Sequence, residues 1–133
     1  MGITRVAAPI DIAVSGLRAQ SAKLNVIGNN IANADTTHGP DGKPYRRQSI
    51  VLATGEGQQG VRVQQTVADN TAFPRVYEPG NPDADKDGYV ETPNVQMPVE
   101  MMHMLQASKA YEANTAVLKR YLDAMDVTAE LLK

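Results

Sequence analysis

The stretch Asp83-Ala84-Asp85-Lys86-Asp87-Gly88 sets three carboxylates at alternate positions ahead of a glycine, the spacing that opens an EF-hand calcium loop. Calcium held in that way also needs a bidentate glutamate at the twelfth position, which here is Asn94. Pro79, Pro82, Pro93 and Pro98 exclude the entering and leaving helices of such a motif. The three aspartates therefore read as turn formers whose carboxylates accept local backbone NH groups. A small binding module with a calcium-stabilised acidic loop is the alternative they leave open. His38 and His103 read as a polar loop residue and a helix-surface residue rather than as metal ligands. Ser15, Ser21, Ser49 and Ser108 lack the context of a nucleophile elbow, and the glycines from Gly55 to Gly60 lack the lysine and following helix of a phosphate loop. No catalytic group, cofactor or firm metal site is expected, so the chain is read as a non-enzyme that acts through its surfaces.

Composition points the same way. The 133 residues suffice for one compact domain or a small domain with long appendages. The apolar fraction of 42% contains no Trp and one Phe, Phe73, and consists mainly of Ala, Val, Leu, Ile and Met. That palette suits helix seams better than a bulky core or a deep pocket. A net charge of -2 with scattered Lys and Arg argues against nucleic acid and against an anionic membrane surface. With no cysteine there are no disulfides or thiolate sites. Met1 to Ile12 holds no apolar run of signal-peptide length, and no window approaches the roughly 18 apolar residues of a membrane span. The expectation is no membrane insertion, and export, if it occurs, without a cleaved signal.

Two amphipathic stretches dominate the ends. From about Ile10 to Ala34 there is no proline, and Ile10, Leu17, Leu24 and Ile31 repeat every seven residues, with Ile27 widening the stripe. Asp11 suits the start of this helix, and the Gly- and Pro-containing run from Asp35 to Pro44 stops it. At the other end Met104, Tyr111, Leu118, Met125 and Leu132 keep the same seven-residue spacing, flanked by Leu122. The spacing predicts a second helix from about Val99 to the C-terminus, opened by Pro98, with Glu100 favouring the positive helix end. Between the helices, Arg46 to Thr54, Gly60 to Val67 and Arg75 to Tyr77 read as short strands. The expected fold is mainly α with a small β insert: long terminal helices forming an antiparallel hairpin or coiled coil around an irregular short-strand middle. The corresponding segments are 1–35, 36–97 and 98–133.

Helices of these lengths paired only with each other leave apolar surface that a small insert cannot cover. Asn25, Asn29 and Asn33 form a slanting row on one helix face, with Asn30 beside them, although asparagine is a poor mid-helix residue. Such a row can hydrogen-bond to a neighbour and fix register at some cost in stability; a solvated helix end is the plainer reading. Tyr111 and Asn114 lie within one turn of the second helix and offer an aromatic anchor and an amide. The expected assembly surface comprises Ile10, Leu17, Leu24, Ile27, Ile31, Asn25, Asn29 and Asn33 on the first helix. On the second it comprises Met104, Tyr111, Asn114, Leu118, Leu122 and Met125.

Leu24 to Tyr45, LNVIGNNIANADTTHGPDGKPY, resembles the N-terminal signature of rod and hook subunits, the axial proteins of the bacterial flagellum. YEPGNPDADKDGYVETPNV, from Tyr77 to Val95, and the stretch Glu100 to Leu118 containing MLQASKAYEANTAVL are similar to the proximal rod subunits of that family. The resemblance implies a structural subunit of the basal-body proximal rod, or else another axial subunit of the rod. It also implies partnership with other rod subunits, copies of itself and the flagellar type III export apparatus, and a place in the periplasm-spanning rod after export. The chain departs from the family in having no Phe before Phe73, where an N-terminal Phe-containing export motif would lie; Val6, Ile10 and Ile12 are the residues that could substitute, and the position of the export signal is left open.

Overall fold

The computed structural model describes residues 9–133; Val6 and the rest of residues 1–8 lie outside the described residues. A long helix stands at each end, with a small β region between them. Helix α1 (Pro9–Ala32) begins on a proline, whose missing NH costs nothing in the first turn, with Asp11 beside it. It ends two residues earlier than its apolar pattern suggests because Asn33 turns the chain. The Asn33 side chain donates to the Asn29 carbonyl at 2.9 Å and accepts from the Thr36 hydroxyl at 3.2 Å. Helix α2 (Met97–Leu131) starts two residues before the expected Val99, with Pro98 in its first turn. At 1.5 Å per residue the helices are about 36 and 52 Å long.

Strands β1 (Gln48–Thr54) and β2 (Val61–Ala68) form an antiparallel hairpin whose register slips between Val51 and Leu52, leaving Gln64 as the extra residue of a bulge. A second hairpin joins β3 (Arg75–Tyr77) to β4 (Tyr89–Glu91), with Tyr77 opposite Tyr89 and their rings edge to face at 5.3 Å. Strand β4 had no signal of its own, since three residues hemmed in by the acidic loop and Pro93 offer no alternation to read. Gly88 is buried at its mouth with φ +85, and an added Cβ would stand 2.9 Å from the Tyr77 ring.

The first hairpin lies along α1 and is fastened at both ends. At its base Asn30 grips Gln48; at its tip the Val61 NH donates to Ser15 Oγ at 3.1 Å. The fifteen helical steps from Ser15 to Asn30 span about 22 Å, and the seven residues of β1 about 23 Å, so strand and helix match in length. Gly60, at φ +67, lets the tip approach: an added Cβ would meet Ser15 Oγ at 2.5 Å.

Helices α1 and α2 touch with residue numbers in opposite order, Gly16 against Asn114 and Asn30 against Glu100. Level with Pro9 stands roughly Tyr121, and beyond it no described residue of α1 faces α2. The core is thin, with Ala13, Ala19, Ile27, Val90 and Ala107 as its buried apolar residues. A compact monomer of 14.3 kDa exposes about 6,800 Å² by the scaling of area with mass. This chain exposes 9623 Å². The excess of roughly 2,800 Å² is more than residues 1–8 alone can carry.

Candidate assembly surface

Beneath the surface, the helices and the insert meet at a polar junction. Asn30 is 1% exposed and Glu100 0%. Burial of that kind is tolerated only when every polar atom is paired. Asn30 Nδ2 donates to the Gln48 carbonyl at 2.8 Å and to Glu100 Oε2 at 3.1 Å, while Oδ1 accepts from the Gln48 NH at 3.0 Å and the Tyr45 hydroxyl at 2.9 Å. Its amide therefore makes all four of its bonds. Glu100 Oε1 accepts from Arg47 Nε, and the Arg47 guanidinium also lies 3.7 Å from Asp69 and 3.4 Å from His103 Nδ1. Asn94 closes the circle by accepting from the Arg47 NH at 2.7 Å and donating to the Asp69 and Thr71 carbonyls. The Arg46 side chain donates to the same two carbonyls and lies 4.2 Å from the centre of the Phe73 ring, giving the lone Phe a cation-π partner.

This environment tunes two groups. Burial holds the Tyr45 hydroxyl above its ordinary range, helped by the negative charge of Glu100 and opposed by Arg47, so it remains a donor to Asn30. Hydrogen bonds from Thr71, side chain first and then backbone, draw the Asp69 carboxyl below its ordinary range. Sequence reasoning placed Glu100 at the helix dipole and His103 on the helix surface. Glu100 is instead the buried partner of Arg47, and His103 is half-buried beside it. It also passed over Asn30 in favour of the four-residue row. The available signal was that Asn30 falls one residue off that row, close to the apolar stripe of Ile27 and Ile31.

Of the residues expected to form the assembly surface, Ile27 is buried. Ile10, Leu17, Leu24, Ile31, Asn33, Met104, Asn114 and Leu118 are half-buried, and Asn25 and Asn29 are exposed. Asn114 stands over Gly16, where no larger residue fits without displacing its amide. Tyr111 is 40% exposed, Leu122 46%, Met125 53% and Leu132 84%. Away from α1, Met101, Met102, Leu105, Val117 and Val127 are exposed too. No described helix is long and apolar enough to cross a membrane, so this apolar surface belongs to no membrane-spanning helix.

In the acidic loop, Asp83 accepts from the Thr37 hydroxyl at 2.8 Å and lies 4.0 Å from His38 Nδ1. Asp85 accepts from the NH groups of Asp87 and Tyr89, both at 2.9 Å, and pairs with Arg75. The Tyr89 NH is the main reason its carboxyl titrates below the ordinary range. Among the described residues no group of three or more His, Cys, Asp or Glu side chains is placed to hold a metal ion.

The core is thin, the longer helix carries an exposed apolar outer face, and each sheet has two strands. Residues 10–40 match the family model described as flagella basal body rod protein. Residues 86–131 match that of the flagellar basal body rod FlgEFG protein C-terminal region. The fold and these matches define a flagellar basal-body rod protein. The flagellar basal-body rod protein FlgC of Salmonella typhimurium is 45% identical over 125 residues, covering 91% of this chain and 93% of the relative. That of Yersinia enterocolitica is 49% identical over 112 residues, covering 81% and 84%, and that of Borreliella burgdorferi 43% over 131, covering 82% and 86%. The chain belongs to the FlgC family. It is a structural subunit of the proximal rod of the flagellar basal body, not an enzyme, and assembles there with other rod subunits.

Proposed function

We propose that the subunit enters the rod through its terminal helices, paired as an antiparallel hairpin or short coiled coil. In this reading segments 1–35 and 98–133 are the axial part, and 36–97 is an outer insert contacting adjacent subunits, copies of this chain among them. The seam residues from Ile10 to Ile31, apart from Ile27, which is buried within the chain, and those from Met104 to Met125, with the row Asn25, Asn29 and Asn33, meet neighbouring helices. One observation carries the reading: α2 keeps its apolar repeat past Tyr121, where no described residue of α1 stands opposite, and leaves Leu122, Met125 and Leu132 exposed. Covering a Leu or Met side chain contributes about 1.5–3 kcal/mol before ordering costs, so a few such residues repeated in each subunit suffice to drive polymerisation. A subunit of this kind reaches the rod through the flagellar type III export apparatus without a cleaved signal peptide, with Val6, Ile10 or Ile12 in place of an export phenylalanine. Leu122→Asp and Met125→Asp test the packing claim. Both variants are expected to fold, to fail to enter the rod and to abolish motility; normal motility in both would refute it.

A further inference from the structure

Three stretches lead into or out of the insert, and all three end at the polar junction. Tyr45 to Gln48 leads into β1, Asp69 to Thr71 follows β2, and Asn94 precedes α2; each is hydrogen-bonded to another or to the pair Asn30 and Glu100. Tyr45 and Gln48 bond to Asn30 of α1, Arg47 bonds to Glu100 of α2, and Asn30 donates to Glu100, so the network as a whole is complete only when the two helices lie side by side. Beyond the packing of β1 and β2 along α1, little else holds the first hairpin. Each sheet has two strands, and an isolated two-stranded hairpin is marginal in water. Every residue of β2 except Val67 is exposed, and Val90 is the buried apolar residue of the insert strands. At the tip the fastening seen is Ser15 on Val61, an exposed contact.

We infer that Asn30, Arg47 and Glu100 form a coupling device that makes the order of the β1–β2 hairpin conditional on the pairing of α1 with α2. A buried polar network fails as a unit, because the loss of one member leaves a buried charge or amide unpaired. A chain whose helices have not met therefore holds its insert loosely, and a chain whose helices have met presents it at one fixed angle. Contacts made by the helices and contacts made by the insert then strengthen each other, a coupling that works in both directions. The inference deepens the assembly reading but concerns the isolated chain, so it survives or fails independently of which faces meet in the rod.

The test is a double-mutant cycle on the full chain, read by amide hydrogen exchange. Gly16→Leu wedges the helix pair, since even a Cβ at this position would stand 3.0 Å from Asn114 Nδ2 and a full side chain must displace it, about 21 Å along α1 from Asn30. Protection in α1 and in the β1–β2 ladder is expected to fall by the same factor. In an Asn30→Ala background the hairpin is already loose, and adding the Gly16 substitution changes its exchange by less than about twofold. Hairpin protection that survives while α1 loses about tenfold would overturn the proposal. So would an equal loss of hairpin protection with and without Asn30. If Asn30→Ala does not fold, Tyr45→Phe, which removes one of the four bonds of the Asn30 amide, takes its place. The coupling is then expected to weaken, and undiminished coupling would refute the device.

Discussion

At the Asn30 end of the helix pair, a buried amide, a buried carboxylate and a half-buried guanidinium satisfy one another; at the Met125 end, apolar side chains stand in water. The polar groups of the first end are paired within the chain, with exposed Met101, Met102 and Leu105 beside them, whereas the apolar groups of the second are not covered. Hydrogen bonds fix direction and register but contribute only about 1 kcal/mol net each, so they suit a joint that must hold one geometry. Apolar surface is non-directional and favourable in proportion to area, so it suits a face completed on joining a polymer. A subunit needs both, and α2 carries both: the polar junction lies in its first turns, and exposed apolar side chains run along its outer face from Met101 past Tyr121 to Val127.

The contrast breaks most visibly at Glu100. Glu100→Ala strands the Arg47 guanidinium and one Asn30 donor in a buried site and is expected to cost about 3–5 kcal/mol, measured by urea unfolding. A loss below about 1 kcal/mol would mean the junction is not a buried pair in solution. Tyr45→Phe removes a single hydrogen bond and is expected to cost about 1 kcal/mol. It also has a pH signature. Because the folded-state value of Tyr45 is raised, its contribution is full below the ordinary tyrosine value of about 10 and is lost as pH rises through the raised value. Unfolding free energies above pH 10 should therefore fall less steeply in Tyr45→Phe than in the parent chain.

At the other end the isolated chain should hardly respond. Met125→Asp is expected to change its stability by less than about 0.5 kcal/mol, while rod incorporation is lost; a large destabilisation would mean that Met125 is covered within the chain. The smallest effect belongs to Asp69 and Asp85. Their depressed values mean that what they contribute is present above the ordinary carboxylate value of about 3.9 and is lost as pH falls through the folded value. Amide shifts of Thr71 and Tyr89 are expected to move only below about pH 4, without global unfolding. Movement near neutral pH would contradict those carboxylate assignments.

Much of the frame was legible in the residues. Seven-residue spacing from Ile10 to Ile31 and from Met104 to Met125 marked both helices, because a sustained apolar repeat has few other uses. The proline-rich middle marked an irregular insert, and Asp85 is the turn former its neighbours suggested. The junction was not legible. Asn30 and Glu100 are 70 positions apart, and no periodicity connects a helix end to a first-turn carboxylate. Their meeting depends on the offset of the two helices, set by the close approach of Gly16 to Asn114 and by the path of a proline-rich loop. Glu100 looked like an ordinary dipole partner because that role and a buried ion pair ask for the same residue in the same turn.

The central claim, that α2 past Tyr121 is a surface waiting for neighbours, is tested most directly by thiol protection. The chain has no cysteine of its own, so Met125→Cys gives a single reporter. The side chain is 53% exposed in the isolated subunit, and a hydrophilic maleimide should label the variant readily there. In purified basal bodies containing the same variant, labelling is expected to fall by at least about tenfold as neighbouring helices cover the seam. Equal labelling of isolated subunit and basal body would contradict the account.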